Sequence, residues 1–425
     1  MIHLLLAAIY LAFVGLGLPD GLLGAAWPAM RADASFRGFG GGTPPLSHSG
    51  IVFAIVSICT VVSALQSDRT TKRFGAARVT ALSTALAAVA LFGFAQCRSM
   101  AGLCVWAVPY GLAAGAIDAA LNNYVALHFA SRHMSWLHCM WGVGATVGPY
   151  VMGAALTRGA PWQRGYLLVG IAQAAVAAAV FASLPLWKRA AAGAVPAGAV
   201  AAGTAAASGD RPGDPATAPD ARRPLRLAEI FRIPGAKAVL LCFFCYCAIE
   251  QTAGLWAATF LAHRGVDPER AAFYASMVYL GITLGRAVGG FATFKWNDDQ
   301  MLRIGEGIVV AGLALVGAAA LVPAVPSGVA CAGFVVAGFG CAPVYPSIIH
   351  STPAHFGADK SQAIIGVQMA FAYLGTTAMP PLFGVLARRL SPALLPLYLL
   401  ALLVLMALLY ERVVRITARQ RTRRG

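Results

Sequence analysis

Acidic side chains are scarce in this chain. Only 16 Asp and Glu stand against 32 Lys and Arg among 425 residues, and charged residues together make up 11%. With 59% hydrophobic residues, this composition excludes an ordinary soluble domain, which carries about 25% charge. Also missing are the spacings that catalysis needs: a nucleophile with a base partner, a metal-ligand pattern or a glycine-rich nucleotide loop. The chain is therefore not expected to be an enzyme, and neither a metal nor an organic cofactor is expected. Any work it does must draw on an ion gradient. Nine cysteines are present, but all except Cys97 lie inside apolar stretches, which argues against a disulfide framework. The run CFFCYC at 242–247 reads as small apolar residues on a lipid-embedded helix rather than as a metal site.

What the sequence has in quantity is apolar length. A helix needs about 20 such residues to cross the hydrocarbon of a bilayer. Cutting at charged and Gly/Pro-rich breaks predicts twelve spans, near 4–29, 49–66, 77–96, 101–127, 135–156, 165–186, 236–261, 271–293, 304–322, 329–349, 362–386 and 393–411. The first is too long for a signal peptide's apolar region and lacks a basic start, so it is expected to be retained. The net charge of +16 does not point to nucleic acid, because the Arg and Lys residues concentrate in alternate loops and in the tail ERVVRITARQRTRRG. By the positive-inside rule this puts both termini in the cytoplasm of a plasma (bacterial inner) membrane protein. The tail then reads as a membrane-surface anchor.

The organisation is two halves. Residues 1–186 form one six-helix bundle and 236–413 a second; 187–235, rich in Ala, Gly and Pro, is a cytoplasmic linker expected to be largely disordered, and 414–425 is a basic cytoplasmic tail. Asp20 and Glu250 are 230 residues apart, as are Asp68 and Asp298, and Arg73 and Arg303; Pro149 and Pro380, and Gly153 and Gly384, are 231 apart. Shared offsets of this kind indicate an internal repeat, and repeated halves are how transporters build a site at the midplane.

Three carboxylates, Asp20, Asp118 and Glu250, interrupt stretches otherwise apolar enough to span. A charge at that depth costs at least ~2.5–3.5 kcal/mol, so it calls for a function or a partner. In YGLAAGAIDAALNNYVALHF (110–129), Asp118 and Asn122 share a helix face, and Asn123 lies about 140° further round. A carboxylate beside amides suits a hydroxyl-rich ligand. Glu250, Gln251 and Trp256 form a similar cluster in the seventh span, with the indole available as a floor under a sugar ring. Trp141, between His138 and Gly142, and Gln368 complete the candidate binding residues. The alternative for Trp256 is an interfacial belt position, and for the acid–amide pair an interhelical clamp without a ligand. Arg286, beside the stripe Gly281, Gly285 and Gly289, is costly unless it meets a carboxylate.

The loop SDRTTKRFG (67–75) can form an ion-pair latch in which Asp68 meets Arg69, Lys72 or Arg73. It resembles the loop signature of the major facilitator superfamily, with a partial echo in GRAVGGFATFKWNDDQMLR (285–303); Thr71 stands where the signature has Gly. GVGATVGPYVMG (142–153) is similar to the Gly-Pro signature of the fifth span in that superfamily. GLPDGLLGAAWP (17–28), GAIDAALNNYV (115–125), IEQTAGLWAATFL (249–261) and GVQMAFAYLGTTAMPPLFG (366–384) resemble the fucose permease-like group, which includes proton symporters of hexoses and 6-deoxyhexoses. In that group the fourth-span acid is Glu followed four residues later by Asn; here Asp118 and Asn122 occupy those places.

The resemblance implies an all-α membrane protein of twelve transmembrane helices in two six-helix pseudo-symmetric bundles. It further implies that Asp118 and Asp20 carry proton coupling and substrate binding; to these the residue readings above add Asn122, Asn123, Glu250, Gln251, Trp256, Trp141 and Gln368 around the substrate and Asp68, Arg69 and Arg73 as a gating loop. The expected function is proton-coupled symport of a monosaccharide or related polyol by alternating access. The expected partners are that small molecule and the lipid bilayer, with no nucleic acid, and the expected state is a monomer. Sodium coupling stays open, since carboxylates and carbonyls also suit that ion. A drug or metabolite exporter of the same fold is the alternative; a transporter-shaped receptor or assembly factor is a third reading.

Overall fold

The computed structural model describes residues 2–193 and 223–422. Apart from short connections these are helical, in the order α1 (Ile2–Gly17), α2 (Leu22–Ala32), α3 (Ser49–Leu65), α4 (Ser67–Phe74), α5 (Ala76–Gln96), α6 (Met100–His128), α7 (Ser131–Thr157) and α8 (Trp162–Gly193). Then come α9 (Leu227–Arg232), near the end of the linker, α10 (Ala236–His263), α11 (Pro268–Ala292), α12 (Asp298–Leu321), α13 (Ser327–Cys341), α14 (Val344–Phe356), α15 (Ala358–Arg389) and α16 (Leu395–Thr422). Among the described residues eleven segments are long and apolar enough to cross a membrane, and the pair α3–α4, bent by 56°, brings the number to twelve. An even number of crossings puts both chain ends on one side, here called the termini side.

Two predicted spans are broken rather than continuous. The first is interrupted at Leu18–Gly21, where Pro19 has no N–H to give the helix and Gly21 adopts φ 76°, a left-handed conformation that favours glycine. The Asp20 N–H instead bonds the Gly17 carbonyl at 2.9 Å. The tenth span breaks at Ala342–Pro343 and runs on to Phe356, beyond its predicted end. Elsewhere the helices overrun the predicted spans. α8 continues to Gly193 through alanines with high helix propensity. α16 carries most of the basic tail, because Val413 and Thr417 stay buried on one face while Arg412, Arg415 and Arg419 are exposed on the other. Within the linker, α9 is capped by Glu229, whose carboxylate accepts from the Arg226 N–H at 2.7 Å. The Arg226 backbone N–H, with the Arg223, Arg226 and Arg232 charges nearby, holds its pKa below the usual carboxylate value. The rest of the predicted disorder falls on 194–222, outside the described residues.

The two halves use the same packing partners. In the first, α1 packs on α7 and α8, α3 on α6, and α5 on α6 and α8; in the second, α10 packs on α15 and α16, α11 on α13, and α12 on α13 and α16. Each pair in one half has its counterpart in the other, which is the internal repeat seen as architecture. Across the halves, α3 meets α15, α11 meets α7, and α6 meets α14 and α15.

Small residues set these distances, as expected where lipid offers no hydrophobic drive for helix association. Cβ atoms at Gly144 and Gly148 of α7 would run into the carbonyls of Val14 and Leu18, so the helix crosses the α1 break backbone to backbone. Gly111 and Gly115 of α6 lie in the same way against Val56 and Thr60 of α3, and Gly281 and Gly285 of α11 against Val335 and Phe339 of α13. The first crossing holds Asp20 beside α7. Gly148→Ala is expected to lower the thermal unfolding midpoint of the detergent-solubilised protein, at an overpacking cost of about 1–3 kcal/mol. Gly153→Ala, where an added methyl meets nothing within 4 Å, is expected to leave it unchanged.

Candidate functional site at the midplane

Asp118 lies deep within α6 and is 6% exposed. Asn122, one turn on, donates from Nδ2 to Asp118 Oδ1 at 2.7 Å and to the Asp118 carbonyl at 3.0 Å. From the other half, the Tyr373 hydroxyl of α15 reaches Asp118 Oδ2 at 3.4 Å. The carboxylate is thus held by one donor from each half. Asn122 Oδ1 lies 3.0 Å from His138 Nε2, and an amide oxygen only accepts, so that nitrogen carries the proton. The His138 ring sits edge-on to Phe13 and 4.3 Å from the Tyr345 ring across the interface. His138 is therefore a satisfied buried residue within the cluster.

Asp20, exposed by the break in the first span, accepts from Trp141 Nε1 at 2.9 Å and from the Tyr110 hydroxyl at 3.4 Å. The face of Trp141 carries the Arg286 guanidinium 5.7 Å from its centroid, a cation–π distance. Arg286 Nη2 lies 3.5 Å from Glu250 Oε2, and the Tyr246 hydroxyl donates to the same oxygen at 2.5 Å. Arg286 meets the carboxylate its depth demands. Tyr110, Asp20, Trp141, Arg286, Glu250 and Tyr246 form one continuous polar path between the halves.

Other expected binding residues sit elsewhere. Asn123, on its separate face, accepts from Ser361 Oγ of α15 at 2.6 Å, towards the termini side of Asp118. Trp256 donates to the Pro380 carbonyl at 3.0 Å and packs edge-on against Phe383. It fills the α10–α15 seam beside Pro380. Gln368 is fully buried and accepts from Thr352 Oγ1 at 3.2 Å inside the second half. Gln251, half-buried, has no hydrogen-bond partner among the described residues.

At the termini side, Asp68 is buried and Oδ2 accepts from Lys72 Nζ at 3.1 Å and from the Leu225 N–H at 2.9 Å. Of the three possible partners in its loop, Lys72 is the one it takes, and α4 brings it there at i, i+4. Arg69 and Arg73 are exposed, Arg73 lying over Phe74 at 5.2 Å. Asp68 thus ties the first half to the end of the linker.

The echo of this loop makes a different contact. Asp298, at the start of α12, accepts from Ser131 at the start of α7 and lies 2.6 Å from His350 Nδ1. His350 Nε2 reaches the Phe129 carbonyl at 2.9 Å. Both ring nitrogens face acceptors, the arrangement an imidazolium satisfies. Together with the Gln362 contact to the Ala119 carbonyl at 3.3 Å and the Arg132 guanidinium over Phe294 at 5.1 Å, these groups close the halves against each other on the termini side.

Sequence reasoning did not single out Tyr110, Tyr246, Tyr373, Ser131, His350 or Ser361. Tyr246 had a local signal, four residues before Glu250. The others meet their partners only through contacts between elements far apart in sequence.

Two helical bundles with matching internal packing, joined by polar groups from both at membrane depth, have the architecture of a secondary transporter. The chain belongs to the Major Facilitator Superfamily, whose profile matches residues 9–380. Among solved structures it is similar to the E. coli fucose:proton symporter FucP in the outward conformation, with TM-score 0.68 and 14% identity over 95% of this chain and 98% of that one. It is similar to the proton:xylose symporter XylE bound to 6-bromo-6-deoxy-D-glucose, with TM-score 0.72 and 12% identity over 96% and 94%. It is similar also to the human organic anion transporter TETRAN, with TM-score 0.67 and 16% identity over 95% and 99%. No curated protein sequence matches the chain. At these identities the likeness is one of fold.

Removing the Asp298 carboxylate strips charge-assisted bonds from both Ser131 and His350, worth about 1.5–3 kcal/mol each. In Asp298→Ala, backbone amides at 129–134 and 298–303 are expected to exchange with solvent about tenfold faster or more. Arg303→Ala, which removes a largely exposed pair with Glu411, is expected to change little.

Proposed function

We propose that the chain is a proton-coupled symporter of a monosaccharide or related polyol, working by alternating access. One observation carries this reading: Asp118 takes a hydrogen bond from Asn122 of its own half and from Tyr373 of the other. A carboxylate held in that way has a protonation state linked to whether the halves are together at the midplane, since either state of the acid favours a different set of donors. Proton binding at Asp118, with Asp20 as the second site, would then bias the rocking of the halves around a loaded substrate. Asn122 and the unpaired Gln251 supply hydroxyl-binding groups, with the Trp141 indole beside them.

The closed termini side supports assigning this conformation as outward-facing, with both termini in the cytoplasm of a bacterial inner membrane as the loop charges indicate. The chain is read as a monomer, with the gradient as its only energy source; proton is preferred to sodium because Asp118 is lined by hydrogen-bond donors rather than by additional oxygen ligands. Export of a drug or metabolite is the second reading. It gains from the helix-bending Pro149 but fits poorly with a polar acid–amide cluster.

In proteoliposomes, an inward proton gradient is expected to drive accumulation of hexose or polyol by the wild-type protein. Asp118→Asn is expected to lose accumulation while keeping substrate counterflow. Wild-type accumulation in that variant would remove Asp118 from the coupling role, and efflux without uptake would favour the exporter.

A further inference from the structure

Of the charged groups placed above at the midplane, Asp20, Asp118 and Glu250 are anions and Arg286 is a cation. Arg286 is 4% exposed and its Nε has no hydrogen-bond partner among the described residues. Its contact with Glu250 runs through one nitrogen at 3.5 Å. A guanidinium of five donors normally meets a carboxylate through two parallel bonds, so this pair, with Tyr246 as the other polar neighbour, leaves Nε of Arg286 available to a second acceptor.

We infer that Arg286 binds a carboxylate of the substrate, and that the cargo is a polyhydroxylated carboxylic acid, a sugar acid, rather than a neutral sugar. This rests on the sugar or polyol reading given above and narrows it.

The partners of the other groups support the assignment. Asp20 has its own donors in Trp141 and Tyr110, and Asp118 in Asn122 and Tyr373, so neither depends on Arg286. Glu250 is already held by the short bond from Tyr246, and its side chain keeps 17% exposure. It is therefore the partner that loses least when displaced. The Trp141 face keeps the guanidinium in place during the exchange. If Glu250 takes up a proton as the substrate carboxylate takes its place, one anion replaces another beside Arg286 and the buried charge is unchanged.

The remaining titratable groups around the pair are Tyr246 and Cys247 of α10, Tyr279 of α11, Cys341 of α13, Tyr345 of α14, and His138 and Cys139 of α7. None supplies a permanent positive charge, so Arg286 is where an anion is held. The polyol end of such a molecule then extends towards Asn122 and Gln251.

The test is equilibrium binding to the purified full-length protein of D-glucuronate and D-gluconate against D-glucose and D-sorbitol, read by calorimetry. The wild type is expected to bind at least one of the acids about tenfold or more tightly than either neutral compound. Arg286→Gln is expected to abolish that preference, Arg286→Lys to weaken it, and Glu250→Gln, which frees the guanidinium, to strengthen acid binding. The double variant Arg286→Gln/Glu250→Gln removes both buried charges and controls for misfolding; it is expected to fold and to lose the acid preference. Equal or tighter binding of the neutral compounds by the wild type overturns the inference while leaving the polyol reading intact. Unchanged acid binding in Arg286→Gln, or weaker acid binding in Glu250→Gln, also overturns it. Absence of binding by all four compounds overturns both readings.

Discussion

Within hydrocarbon every backbone N–H and C=O has to find its partner inside the chain, and an irregular segment survives at that depth only where protein shields it or a polar cavity receives it. The two broken spans obey this constraint, and the site follows from it. At Leu18–Gly21 the α7 backbone closes over the break, using glycines to come near enough. At Ala342–Pro343 both residues are buried. Each break turns a side chain towards the interface that an unbroken helix would have placed differently: Asp20 meets Trp141, and Tyr345 meets the ring of His138.

The contacts between halves fall into two layers that do different work. Near the termini side they are short, partly charged and formed by helix ends, as in Asp298 with Ser131 and His350. At the midplane they are longer and pass through aromatic hydroxyls and an indole, as in Tyr373 to Asp118 and Trp141 beneath Arg286. Under the proposed function, the termini-side layer would hold the closed state, and the midplane layer would be the one whose bonds a ligand replaces.

Much of this was legible in the sequence because the bilayer imposes a simple rule on apolar length, and because a buried charge announces itself. The twelve spans, the paired halves, Asp118 beside Asn122, and a carboxylate for Arg286 all follow from local pattern. The helix ends were less legible: alanine continues a helix wherever nothing stops it, and so α8 overran its apolar segment. Trp256 shows the limit more clearly. Its neighbours Glu250 and Gln251 suggested a shared cluster, yet its indole donates to the Pro380 carbonyl of α15, a helix more than a hundred residues away in sequence. Tyr373 and Ser361 carry no local mark at all; only the docking of α15 against α6 gives them partners.

Asp20 and Glu250 are repeat-mates, but one stands at a break and the other in the uninterrupted helix α10. The two halves therefore differ mechanically where their sequences correspond. At the depth of the proposed site the first bundle therefore has four non-helical residues where the second has continuous helix. Under the alternating-access reading, a tilt of α2 would be absorbed at that break, whereas a shift at Glu250 would be carried along the length of α10.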